Sequence, residues 1–225
     1  MSSAAPAKRG RRKTSNPPRS ESAPTHKTWI APPGPISPGI RIGLLGGSFN
    51  PAHQGHIHAS EQALKQLHLD YVWWIVSPQN PLKAKRGMAS FKKRLEAARG
   101  VARHPRLIVS GIEDELGTRF TVDTVQALKR RFPQARFVWL MGSDNLLQIP
   151  RWRKWGEIFR LVPVAVVART GTALSARLSP AATKFGAAAR PPDAGFASEK
   201  PPAWTILDAK RDPTTATALR ASSRK

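Results

Sequence analysis

Residues Ile40–Ser60 read IRIGLLGGSFNPAHQGHIHAS, and three kinds of segment follow one another there. Ile40–Leu45 is a short apolar run of strand character. Gly46, Gly47 and Ser48 permit a tight backbone turn. Pro51, His53, Gly55 and His56 then lead into residues at helical spacing: Ala59, Ala63, Leu64 and Leu67. Strand, glycine turn and helix start, in that order, place a row of backbone N–H groups at a helix N-terminus, where an anion binds well. Two imidazoles, His53 and His56, stand beside that point. The stretch therefore predicts a phosphate-handling site on an α/β sheet.

Outward from it, strands and helices alternate. Tyr71–Val76 (YVWWIV) is rich in β-branched and aromatic residues and reads as a buried strand. Phe91 to Ala102 reads as a helix with Leu95, Ala98 and Ala102 on one face, and Leu107–Val109 as a third strand. Thr121 to Arg131 is helical, with Val125 and Leu128 facing inward, and Phe137–Met141 is a fourth strand. Trp152 to Arg160 reads as a short helix, Val164–Ala168 as a fifth strand, Trp204–Leu207 as a sixth, and Thr215–Arg220 as the start of a last helix. Residues 171–202 are rich in Ala, Pro, Gly and Ser and show little periodicity. Such alternation predicts one α/β domain over residues 39–225, a Rossmann-like, doubly wound parallel sheet with right-handed crossovers. Ligands bind beyond the carboxyl ends of the strands in such sheets. GGSFNPAH, SPQNPLK, GSDN and ART follow the first, second, fourth and fifth strands in turn.

The charge balance points the same way without choosing a ligand. The chain has 225 residues and a formal net charge of +23, from 37 Lys+Arg against 14 Asp+Glu. That implies an anionic partner: a phosphorylated small molecule, a nucleic acid or an acidic membrane. No run of 18 apolar residues is present, so no membrane partner is expected. There are no cysteines, which excludes disulfides and suits a reducing compartment; a cytoplasmic location is expected. Residues 1–38 hold 8 of the 21 prolines, seven Lys/Arg and a single acidic residue, Glu21, and read as a disordered basic tail. An organellar transit peptide or an over-long start has the same composition.

The glycines decide what the first motif is not. G-x-G-x-x-G does not fit after the first strand, and G-x-x-x-x-G-K-[ST] is absent, so neither the dinucleotide fingerprint nor a P-loop applies. Three-residue spacing puts His53 and His56 on one helix face. Beside a phosphate they can donate hydrogen bonds and stabilise charge on a transferring phosphoryl or nucleotidyl group. An attacking phosphate is already ionised at neutral pH, so alignment and electrostatics suffice without a general base. The bland reading makes both histidines helix caps or surface residues. Only two candidate metal ligands are local and no H-E-x-x-H is present, so no protein-held metal is expected.

GGSFNPAHQGH at 46–56 resembles the first signature of the nucleotidyltransferase superfamily, [ST/G]-x-F-[DN]-P-x-H-x-G-H. Thr215-Ala-Thr217-Ala-Leu-Arg220 is similar to its second, I-S-S-T-x-I-R. Within that superfamily the chain resembles the nicotinate-nucleotide adenylyltransferases. SPQNPLK at 77–83, Arg119-Phe-Thr121-Val-Asp-Thr124 and GSDNLLQIPRWRKW at 142–155 carry that likeness. It implies adenylyl transfer from ATP to nicotinate mononucleotide, with Mg²⁺ bound mainly through the phosphates. His53, His56 and Arg220 are implied as catalytic. Gly46, Gly47, Ser48, Phe49, Asp144 and Thr217 are implied on the ATP side. Asn50, Lys83, Thr121, Trp152 and Arg169 are implied on the mononucleotide side, with Trp152 stacking on the nicotinate ring and Thr121 taking its carboxylate.

Each has a plainer reading. Trp152 and Trp155 could be core, and Asp144 and Thr121 could be helix N-caps. The second signature departs from the family form at Thr214, Thr215 and Ala216, and Phe120 stands where many relatives have Tyr. The competing functions are a nicotinamide mononucleotide or phosphopantetheine adenylyltransferase of the same superfamily, and a basic nucleic-acid-binding protein. No RNA-binding or zinc signature is present, and the charge is spread along the chain. Nucleic acid is therefore expected, if at all, only through the tail. The sequence leaves the oligomeric state open.

Overall fold

A computed structural model of the chain describes Met1 and residues 30–78, 87–168 and 177–208. Six strands form one parallel sheet: β1 Arg41–Gly47, β2 Tyr71–Val76, β3 Leu107–Ser110, β4 Arg136–Gly142, β5 Val164–Val167 and β6 Trp204–Leu207. Their spatial order is β3-β2-β1-β4-β5-β6. The order reverses between β1 and β4, which makes the crevice above that pair the ligand position of a doubly wound sheet.

Alternation along each strand builds two cores. Ile42, Leu44, Trp73, Ile75, Trp139, Met141, Val164 and Val166 face one side. Helices α4 (Thr121–Arg131) and α6 (Trp155–Leu161) cover them with Val125, Leu128, Ile158 and Phe159. Leu45, Val72, Trp74, Val76, Val138, Leu140 and Ala165 face the other. There α1 (Gln54–Gln66) and α2 (Phe91–Val101) supply Ala63, Leu64 and Ala98. Two helices too short to leave a period in the sequence lie between these, α3 (Ile112–Leu116) and α5 (Ser143–Gln148). A third, α7 (Pro180–Phe185), falls in the stretch without periodicity. Ser179 caps it by accepting the Ala182 N–H at 3.1 Å, and Phe185 stacks on Phe159 at 4.5 Å.

Three expectations are corrected. β1 runs through Gly46 and Gly47, which pair with Ile75 and Val76, so the glycines belong to the strand and the turn starts after them. The helix expected from Trp152 begins at Trp155: Ile149–Arg151 is a 3₁₀ turn, Trp152 is extended, and Lys154 is left-handed at φ 47°. Residues 30–38 pack on the domain instead of joining a tail. Ile30 is 4 % exposed and lies in the core with Ile36 against it, and Gly39 N–H donates to Gln134 O at 2.9 Å. Residues 2–29 of the expected tail lie outside the described residues.

Candidate active site

The junction of β1 and α1 turns on Phe49, whose φ of 45° lies in the left-handed region that a non-glycine residue adopts at a cost of about 1–3 kcal/mol. Its ring is 2 % exposed and repays the turn by packing. It stacks on Trp74 at 5.1 Å and props His56 at 4.7 Å. The Phe49 side chain, a residue implied on the ATP side, belongs to the core. Ser48, 5 % exposed, has a buried hydroxyl with no hydrogen-bond partner among the described residues.

His53 is the N-cap of α1. Its Nδ1 accepts the Gly55 N–H at 3.1 Å, and His56 Nδ1 accepts the His53 N–H at 3.2 Å, a reciprocal capping box built from two imidazoles. The rings lie 3.9 Å apart. The capping reading of the pair is thus correct, and it carries a chemical consequence. With Nδ1 accepting in both rings, the ring proton sits on Nε2 in each. The cap fixes the tautomer and the ring plane, with Nε2 as the N–H donor of each neutral ring.

Asn50, expected to bind substrate, spans to the entry of α2: its amide donates to Gly87 O at 3.3 Å and accepts the Ala89 N–H at 3.1 Å. Across the switch, β4 delivers Gly142 as the N-cap of α5. Asp144 therefore lies in the first turn of that helix and is not its cap. Thr121 is likewise the first residue of α4, whose N-cap is Phe120. Trp152 meets Trp139 edge-on at 6.4 Å. Arg153 next to it lies over the Phe120 ring at 4.7 Å and 3.7 Å from Asp123, so the Trp152 loop is tied to the start of α4. Lys83, Arg169, Thr217 and Arg220 lie outside the described residues.

Two buried charged side chains, Arg94 and Glu113, are not among the expected site residues. Arg94 lies under the β1 and β2 loops. Glu113, 6 % exposed, accepts from the Thr124 hydroxyl at 3.0 Å, and Thr118 and Thr124 hydroxyls are 2.9 Å apart. Burial pushes the Glu113 carboxyl above the ordinary carboxylate range, and hydrogen bonds from Thr124 and Ser77 oppose the rise. Its protonated form stabilises the fold fully at acid pH, and that stability is lost as pH rises from the ordinary carboxyl range through the folded value. Glu113→Gln is expected to flatten this dependence, gaining on wild type in thermal melts as buffer goes from mildly acidic to alkaline.

The chain is similar to known proteins over nearly the whole of this architecture. Residues 44–221 match the cytidylyltransferase-like family model. A protein named probable nicotinate-nucleotide adenylyltransferase from Parvibaculum lavamentivorans is 54 % identical, the match covering 82 % of this chain and 93 % of that protein. One of the same name from Cereibacter sphaeroides strain ATCC 17025 is 52 % identical over 81 % of this chain and 98 % of its own length. The chain belongs to this family, in its nicotinate-nucleotide adenylyltransferase branch. The fold agrees. The nicotinic acid mononucleotide adenylyltransferase of Plasmodium falciparum, solved with NaAD, superposes with TM-score 0.60 at 14 % identity, covering 81 % of this chain and 83 % of that one.

Nucleotidyltransferases of this kind work with a divalent metal. Among the described residues no three His, Cys, Asp or Glu side chains gather into a cage.

Proposed function

We propose that the chain catalyses adenylyl transfer from ATP to nicotinate mononucleotide, giving nicotinate adenine dinucleotide and pyrophosphate as a step of NAD biosynthesis. The observation that carries the site assignment is the imidazole capping box at the β1–β4 switch. A phosphate oxygen of the mononucleotide attacks the α-phosphorus of ATP, the bond from that phosphorus to the β-bridging oxygen breaks, and pyrophosphate leaves. His53 and His56 hold the ATP phosphates and meet the charge that builds on the leaving group. The α1 N-terminus adds its backbone dipole. Gly46, Gly47 and Ser48 line the ATP side, with Asp144 on the adenosine. Trp152, held by Trp139 and by the Arg153 tie, stacks on the nicotinate ring, and the α4 N-terminus at Thr121 takes its carboxylate. Thr217, Arg220, Lys83 and Arg169 complete the phosphate and substrate contacts in this reading. Mg²⁺, carried mainly by the ATP phosphates, would supply neutralisation of phosphate charge there. No described helix is long and apolar enough to cross a membrane, and a cytoplasmic location belongs to the same reading.

Pyrophosphate release with ATP, Mg²⁺ and nicotinate mononucleotide tests it. Equal turnover of nicotinamide mononucleotide would overturn the substrate assignment, because a pocket built for a carboxylate rejects the neutral amide. No release with either would overturn the reaction.

A further inference from the structure

Arg94 is 2 % exposed, on the inward face of α2, and its guanidinium is held by backbone carbonyls. Nη1 donates to Ser48 O at 2.6 Å and to Ser77 O at 2.8 Å. Nη2 donates to Pro78 O at 2.7 Å and Nε to Ala89 O at 3.0 Å. One planar fork thus collects three segments: the loop leaving β1, the loop leaving β2 and the entry to α2. Asn50 reaches the last of these from the β1 side, through the Ala89 N–H. No carboxylate faces the guanidinium among the described residues, and burial alone pulls its pKa down from the ordinary arginine value.

A brace between loops needs donors but no charge. Burying a cation without a counter-ion costs several kcal/mol in general, and arginine does not shed its proton to escape that cost. The expense has a counterpart if the cleft above fills with negative charge. The loops that Arg94 holds leave the carboxyl ends of β1 and β2, where the triphosphate and the mononucleotide phosphate arrive in the proposed reaction. In a poorly screened interior, a fixed cation under that place favours anions entering it.

We propose that Arg94 is a positioning residue that sets the spacing of the β1 and β2 exit loops and supplies buried positive charge beneath the anionic substrates. This rests on the proposed reaction. Two variants separate the charge from the fork. Arg94→Lys keeps a cation but loses the planar donors, and Arg94→Gln loses the cation. Each is measured by thermal melting, by steady-state kinetics in both substrates, and by calorimetric binding of inorganic pyrophosphate. Arg94→Gln is expected to bind pyrophosphate about tenfold more weakly and to lose about 10²-fold in kcat/KM. Arg94→Lys is expected to keep pyrophosphate affinity and lose kcat, since the loops are then misplaced while the charge remains. A Lys variant with wild-type kcat overturns the positioning role, and a folded Gln variant with wild-type pyrophosphate affinity overturns the electrostatic one. Two variants that both fail to fold reduce Arg94 to a brace and overturn the proposal. Absence of turnover by the wild-type protein would sink the reaction itself, and it is read separately from any difference between variants.

Discussion

Turnover by the His56→Asn protein is expected to fall about 10²–10³-fold while its melting temperature stays near that of wild type. The two halves of that expectation come from the two ring nitrogens. His56 Nδ1 accepts the His53 N–H at 3.2 Å and closes the capping box of α1. An asparagine side chain can set its Oδ1 where Nδ1 stood, so the cap persists. It has nothing to place where the Nε2–H stood, so the donor to phosphate goes. His56→Ala loses both and should show the same fall in kcat together with a loss of about 1 kcal/mol of stability, the usual worth of one hydrogen bond, since His53 still caps the helix. His53→Asn is a sharper version, since asparagine is among the best N-caps. Steady-state kinetics beside thermal melts read the two effects apart. If His56→Asn turns over like wild type, the histidines are caps alone and the phosphate role falls.

Much of this architecture is legible in the sequence because its strands are buried on both faces. YVWWIV at Tyr71–Val76 and WTIL at Trp204–Leu207 match their strands residue for residue, and α4 matches at Thr121–Arg131. Long apolar runs and a strong helical period leave little freedom in where such elements lie. The proposed site is marked in the sequence for a different reason. Phosphate chemistry at a helix start needs contiguous residues, so Gly46 through His56 declare it locally. What the sequence hid depends on contacts between distant segments. Arg94 follows Lys92 and Lys93 and resembles a third surface cation. The signal was its spacing, three after Phe91 and four before Ala98, on the face that turns inward. Glu113 lies in a helix of five residues, with no period to mark its direction. The helix expected at Trp152 fails because Lys154 takes a left-handed φ, which no pattern of apolar residues encodes.

Gly46→Ala is expected to destabilise the protein by about 1–3 kcal/mol, the usual range for overpacking a tight core. In the sequence the glycine reads as room for a nucleotide. In the sheet it is also room for a tryptophan. A Cβ at residue 46 would lie 2.5 Å from Trp139 Cη2 and 3.0 Å from Cζ2. The backbone of β1 tolerates alanine, so the cost comes from that contact and not from φ. Trp139 is 1 % exposed and also meets Trp152 edge-on at 6.4 Å, so a displacement of its indole is passed to Trp152. The stability loss therefore has a functional companion. As Trp139 gives way, Trp152 shifts, and the KM for nicotinate mononucleotide should rise while the KM for ATP stays closer to wild type. Gly46→Ala combined with Trp139→Phe restores the missing space and should recover part of both losses, a coupling that a double-mutant cycle reads directly. The same alanine substitution at Gly100, where a Cβ meets nothing within 4 Å, should instead stabilise α2 by about 1 kcal/mol. Chemical denaturation and steady-state kinetics of wild type, Gly46→Ala, Trp139→Phe and the double variant, with denaturation of Gly100→Ala beside them, decide the matter. If Gly46→Ala is as stable as wild type with unchanged KM values, Trp139 is not wedged by the glycine, and the support it gives to Trp152 must come from elsewhere.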